Sequence, residues 1–261
     1  KVYERYVDAF PEPLETSVEI RFKVASLYGA DGQSSKQKRE WRAIVAIEKQ
    51  SGAAAEGSVR YYAAKSALFL AEQGYDDFAS VELVQPFEKN LAKKKKRMDE
   101  ALKVFEGLIE YEVGEATAGA TFYIAQVYLE FSRALLASER PQSLSGSELE
   151  DYELVLEEEA YPFEEQAIEV HEKNLELMSV GVYNDWIEKS LRELAQMMPG
   201  RYAKYEESTG PIASIDEYAY RTPDAAVVVS PELLPEVLPE PSQALAEPVQ
   251  TTSVESLVEA G

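Results

Sequence analysis

Cysteine is absent from this 261-residue chain, and histidine occurs once, as His171. The first absence excludes disulfides, zinc–thiolate centres and thiol catalysis. The second excludes metal sites built from several imidazoles and leaves no spare imidazole for a Ser-His-Asp arrangement. No stretch approaches the roughly 20 consecutive apolar residues of a membrane-spanning helix. Cations are scarce: 26 Lys and Arg stand against 48 Asp and Glu, a formal net charge of −22. Nucleic acid is disfavoured as a partner, because phosphate contacts need clustered cations, and so is docking onto an anionic membrane surface. The acidic segments lack the alternating Asp/Asn loop with a central Gly that holds calcium. Carboxylates are plentiful, but little stands ready to pair with them. The chain therefore reads as non-enzymatic, with no cofactor and no metal site.

Hydrophobic residues make up 45% of the chain and aromatics 10%, enough for a sizeable core. Its organising stretch is Gly119 to Ala137, GATFYIAQVYLEFSRALLA. Phe122, Ala125, Leu129 and Ser132 recur there at steps of three and four, and Tyr128 and Leu135 widen the same helical face. Comparable patterns predict helices over 2–10, 14–28, 35–50, 56–73, 87–113, 148–178 and 185–197. Pro11-Glu12-Pro13, Gly29 to Gly32, Ser51-Gly52, Gly74 and Pro199-Gly200 supply the stops. Caps are expected at Ser35 and Ser147, with an interruption at Pro162, and Asp76 or Asp77 can cap the long helix that runs to about Val113, Pro86 marking either its true start or a kink. A helix over 87–113 would span roughly 40 Å and carry the basic run Lys93 to Arg97 on a projecting part.

A small residue followed three places later by an aromatic one appears at Ala25 and Tyr28, Ser66 and Phe69, and Ala125 and Tyr128. Asp99-Glu100-Ala101-Leu102-Lys103-Val104-Phe105 supplies a second-helix pattern. Together these resemble the tetratricopeptide repeat (TPR), although the spacing is uneven and longer than that family's roughly 34 residues. The resemblance implies an all-α, TPR-like right-handed helical-repeat solenoid, here with some lengthened helices. The repeat domain is expected over residues 1–207.

Residues 208–261 contain seven of the thirteen prolines and nine carboxylates against Arg221 alone. A Pro/Glu-rich disordered tail is expected there, serving as a spacer or carrying a binding motif near Val227 to Leu238. Within the helical part, Glu100 to Gly114 aligns with Gln166 to Val180 at a constant offset of 66 residues, which suggests an internal duplication. His171 then takes the place of Phe105, and a packing or groove role follows. The Lys93 to Arg97 cluster either neutralises neighbouring acids or receives an acidic segment. The acidic run from Glu148 to Glu165 reads as a solvated face, or else as a dock for a basic segment.

In a helical-repeat stack the first helix of each pair lines the concave side. Phe122, Gln126, Leu129 and Glu130 have the spacing to line it. Tyr62, Tyr123, Tyr183 and Trp186 are either inter-helix core or anchors for a bound peptide. Tyr161 to Asn174, Gly181 to Ser190 and Met198 to Lys204 resemble the end of bacterial TPR proteins associated with TonB/ExbB-type envelope machinery and gliding motility. That resemblance implies a periplasmic or outer-membrane-associated adaptor, with Arg201-Tyr202 in a group-typical terminus. The first residue is Lys1 rather than Met, as expected of a processed form or a partial chain in which any signal peptide or lipid-anchor cysteine would be out of view.

The function expected is a scaffold or adaptor holding a partner protein segment in its concave groove, with no direct membrane span. A cytosolic co-chaperone or secretion adaptor is the alternative within that class. A carboxylate-pair hydrolase and a purely structural spacer are the alternatives outside it.

Overall fold

Helical periodicity translates into helix after helix in a computed structural model, which describes residues 2–52 and 57–203. The elements are α1 (Val2–Ala9), α2 (Leu14–Ala30), α3 (Ser34–Ser51), α4 (Ser58–Ala79), α5 (Phe87–Ile109), α6 (Gly114–Leu136), α7 (Gly146–Glu176), α8 (Asp185–Met197) and α9 (Pro199–Tyr202). A 3-10 turn at Leu177–Val180 follows α7. No strand occurs among the described residues, so the chain is all-α over that extent. The described residues fall within one compact unit, Lys1–Tyr205. The tail expected from residue 208 onward, and the helix start expected at Glu56, lie outside the described residues.

Each helix packs on the next in sequence from α1 to α9. A second set of contacts joins alternate helices, α2 to α4, α4 to α6 and α6 to α8. The even-numbered helices thus form a continuous row, and the odd-numbered ones flank it. The small residues explain how close the row is: Ala25 in α2, Ser66 in α4, Ala125 in α6 and Ser190 in α8 are all 0% exposed. A side chain no larger than a methyl or hydroxymethyl lets the neighbouring helix approach, and ridges of larger side chains fill the adjoining grooves.

α6 lies deepest, touching α4, α5, α7 and α8. Its buried residues run from Ala116 to Leu135 and include Ala120, Val127, Leu129 and Phe131. A helix apolar on nearly every side needs neighbours on nearly every side. The main core gathers Leu68 and Phe78 of α4, Met98 and Phe105 of α5, and Val127 and Phe131 of α6. A smaller core joins Val18, Ile44, Val59 and Ala63 of α2, α3 and α4. The expected duplication is consistent with burial. Ala101, Phe105 and Leu108 of α5 and Ala167, His171 and Asn174 of α7, each pair 66 positions apart, are all buried.

Several local expectations need correction. α4 runs through Gly74 to Ala79, because its apolar face continues to Phe78, which is 0% exposed; Asp76 and Asp77 therefore sit inside it rather than capping α5. Pro86 is the residue before α5, and that helix stops at Ile109 rather than Val113. α3 begins at Ser34 after Gln33, without a side-chain cap. The cap of α7 is Ser145, not Ser147: its hydroxyl and amide both meet the Glu148 carboxylate, at 2.6 and 2.8 Å, in a capping box. α7 is not interrupted at Pro162 but runs through it for 31 residues. Packing along α6 offsets the one backbone hydrogen bond that proline removes.

Candidate functional site

The row of alternate helices carries two groups of rings. In the first, Phe22 of α2 meets Tyr62 and Phe69 of α4 at centroid distances of 5.0 and 6.4 Å, and Phe69 meets Trp41 of α3 at 4.9 Å. In the second, Phe122 and Tyr123 of α6 meet Trp186 of α8 at 5.5 and 5.4 Å. Tyr123 also stacks on Phe105 at 4.9 Å, and Phe122 lies 5.6 Å from the His171 ring.

Between these groups a cleft of about 430 Å³ opens among α4 and the N-terminal ends of α6 and α8. Lys65, Leu68 and Phe69 form one wall; Trp186 and Lys189 form the other, with Glu115, Asn184 and Asp185 at the rim. Gly119 of α6 seats both walls. A Cβ there would come within 2.5 Å of Leu68 Cδ2 and 3.1 Å of Trp186 Nε1, so nothing larger than hydrogen fits without displacement. Local chemistry positions Trp186: the Asn184 side chain accepts from the Trp186 and Ile187 amides at 3.0 and 3.2 Å, starting α8 in this orientation.

The two lysines of the cleft differ. Lys65 is 2.9 Å from Glu115 and 3.3 Å from the Tyr61 hydroxyl, so its charge is compensated. Lys189 stands 3.8 Å above the Trp186 ring and 5.8 Å from Phe122, an arrangement of cation over aromatic face. Nearby, burial raises the Glu72 carboxyl pKa despite its hydrogen bond with Tyr123 and the charge of Lys189. Burial and the same Glu72 raise the Tyr123 phenol.

The eight residues picked from sequence separate. Phe122, Tyr123 and Trp186 come together, half-buried, beside the cleft, and Tyr62 belongs to the other ring group. Gln126 and Leu129 are not groove-lining: they are 8% and 4% exposed, enclosed where α7 and α8 cover α6. Glu130 is engaged by the Lys94 ammonium at 3.3 Å. Tyr183 is 76% exposed in the connection before α8. Lys65, Phe69, Lys189 and Gly119 were missed as site residues. The i, i+4 pair Tyr61/Lys65 and the i, i+3 pair Trp186/Lys189 were the available signals.

His171 and Lys94 are among the buried polar side chains. His171 is fully buried; Gln126 Nε2 is 3.4 Å from its Nε2, and Ser190 Oγ is 3.1 Å from its Nδ1. Asn174 donates to Ser190 Oγ at 2.8 Å and to the Ala118 carbonyl at 3.1 Å. With the Gln126 amide nitrogen facing Nε2, that ring nitrogen accepts, so Nδ1 carries the proton of a neutral imidazole. Burial, assisted by the charge of Arg133, lowers its pKa to about 4. His171 thus binds α7 to α6 and α8 and does not face the cleft. Lys94 is 1% exposed, with its ammonium 3.0 Å from the Val81 carbonyl and 4.8 Å from the Phe78 centroid. The basic run is therefore not a uniform exposed patch: Lys94 is buried, and Lys96 and Arg97 pair with Glu100.

A larger cleft of about 590 Å³ lies between α3 and α5 over α4, lined by Val45, Leu70, Val104 and Tyr111 among others. Among the described residues no cluster of His, Cys, Asp and Glu could hold a metal ion, and no helix is long and apolar enough to cross a membrane. The chain matches no protein-family model, no curated protein and no solved structure.

Proposed function

We propose that this chain is a non-enzymatic adaptor: a TPR-like, right-handed helical-repeat solenoid that holds an extended or helical segment of a partner protein along its even-numbered helices. The observation that carries this reading is the cleft in which Lys65 and Phe69 of α4 face Trp186 and Lys189 of α8 across Gly119. Rings already packed against one another lose little freedom when a peptide side chain enters, and an indole beneath an ammonium offers both apolar area and charge. The contact order α2–α4–α6–α8, with a buried small residue in each helix, supports the repeat architecture. It also favours the concave side as the binding side, because in such stacks the first helices of successive pairs line it. A bacterial cell-envelope setting, periplasmic or outer-membrane-associated, rests on the resemblance of the α7–α9 sequence and is part of the proposal.

A tiled peptide array of envelope proteins from the source cell, probed with the intact chain and with a Trp186→Ala/Lys189→Glu variant, tests it. Peptides held by the former and lost by the latter are expected. Identical patterns, or no retained peptide, would reject the cleft as the binding site. The hydrolase alternative draws on Glu72, whose carboxyl pKa is raised chiefly by burial and also by the charge of the neighbouring Asp76 carboxylate, while its hydrogen bond with Tyr123 and the charge of Lys189 act the other way. Hydrolytic turnover abolished by Glu72→Gln would replace the adaptor reading.

A further inference from the structure

A cleft of about 360 Å³ lies between the end of α4, the connection that follows it and the C-terminal half of α6. Val81, Leu83, Ala134 and Ala137 give it apolar walls. Its charges come from Lys94 of α5, Glu130 and Arg133 of α6, and the exposed Glu82. Lys94 differs from Lys93, Lys95 and Lys96 through burial: those three are exposed and Lys94 is 1% exposed. Two oxygen atoms accept from its ammonium, the Val81 carbonyl at 3.0 Å and the Glu130 carboxylate at 3.3 Å. The face of Phe78, with its centroid at 4.8 Å, is the third neighbour.

Replacing a buried ion pair by apolar side chains of similar volume is often neutral or stabilising, so cohesion alone does not account for an amine at this place. Burial lowers the pKa of the ammonium, against the charge of Glu130, and so raises the share of free, nucleophilic amine. Arg133 stands one turn beyond Glu130 and is half-exposed. It is 3.7 Å from Glu193, beyond hydrogen-bond distance, and makes no hydrogen bond among the described residues. Its planar fork is therefore available to a carboxylate entering the cleft. One cleft thus holds a buried amine, a carboxylate touching that amine, and a guanidinium with donors to spare.

We propose that this cleft binds a small 2-oxo acid reversibly, as an imine of Lys94, with the carboxylate of the ligand on Arg133 and its alkyl group against Leu83 and Ala137. The volume lies near the small end of ligand sites and sets the size class. Glu130 takes one ammonium proton, and the amine nitrogen forms a bond to the carbonyl carbon. The carbonyl oxygen gains one proton from nitrogen and one back from Glu130, and leaves as water. Ammonium and carbonyl thus give a protonated imine and one water, with nothing oxidised or reduced. The site is separate from the cleft of α4, α6 and α8, and stands or falls independently of the adaptor function.

The test incubates the intact chain with millimolar pyruvate and sodium cyanoborohydride, which reduces the imine to a stable carboxyethyl amine. Cleavage after Glu88 and Glu100 releases Lys94 and its exposed neighbours together, and fragmentation mass spectrometry reads the label on each. Label on Lys94 is expected to exceed that on Lys95 about tenfold, the factor that one unit of pKa confers. In urea the ratio should fall to about one, because the unfolded chain treats the lysines alike. Arg133→Gln, at a half-exposed residue, should lower the ratio about tenfold through loss of a charge-assisted hydrogen bond. Circular dichroism confirms the helix content of that variant. With acetone, which carries a methyl in place of the carboxylate, Arg133→Gln should leave the ratio unchanged. Label on Lys94 no greater than on Lys95 in the folded chain would overturn the proposal. So would a preference indifferent to Arg133→Gln, or one lost equally with acetone, which would make Arg133 purely structural.

Discussion

Lowering the pH from 7 to 5 should destabilise this protein through one residue, His171. Its imidazole is fully buried and neutral in the fold, with its pKa lowered from 6.5 to about 4 by burial and by Arg133. Protonating Nε2 would place a donor against the Gln126 amide donor and a charge in the interior. An unfolded chain takes up the proton near 6.5, whereas the folded one resists until about 4. The unfolded state binds more protons throughout that window, so stability rises with pH there. The contribution is complete above the unfolded value and is lost progressively on acidification toward the folded one.

Full loss amounts to about 3 kcal/mol, and the fall from pH 7 to pH 5 to about 2 kcal/mol. Because the chain has a single histidine, its proton NMR signal near neutral pH is unambiguous. It should keep its neutral position at pH 5.5. Urea unfolding at several pH values then gives the energetic side, compared with His171→Phe, the residue that the aligned position 105 already carries. That variant should begin lower by about 1–3 kcal/mol, since Gln126 loses its partner, but should lack this share of the pH dependence. Glu72, raised by burial, contributes with the opposite sign above its unfolded value and cancels in the comparison. A histidine titrating near 6.5, or an unchanged slope in His171→Phe, would refute the reasoning.

Gly119→Ala should cost about 1–3 kcal/mol and displace Trp186, because the added methyl meets Leu68 and the indole nitrogen below van der Waals distance; denaturant unfolding and tryptophan fluorescence read the two effects. Glu130→Ala should destabilise more than Lys94→Met in the same assay. The first leaves a 1%-exposed ammonium without its carboxylate, while the second leaves a carboxylate that is 27% exposed to water.

Much of the helical layout was legible because helix formation is written locally. Steps of three and four placed α2, α3, α6 and α8 within a few residues, and proline and glycine punctuated them correctly at Pro13, Gly52 and Pro199. Gly74 and Pro162 misled for one reason. A residue unfavourable to a helix costs a few kcal/mol at most, and burial of Phe78 in one case, and of Leu156, Ala160 and Ala167 in the other, outweighs it. The candidate site was legible only in part. Aromatic content marked Phe122, Tyr123 and Trp186, yet Gln126 and Leu129 share a face with Phe122 and became enclosed when α8 settled over α6.

Lys94 and Lys95 are adjacent in a run of like charges, and nothing in that run distinguishes the buried one from the exposed one. The sequence by itself determined an all-α fold over the described residues, the order of its helices and the small residues at 25, 66 and 125 that allow close packing, since each follows from neighbours within one or two turns. Only the tertiary structure decided which rings border a cleft and that His171 ties three helices together. Those depend on which distant helix comes to rest on each face, and helical periodicity records that a face will be covered without recording by what.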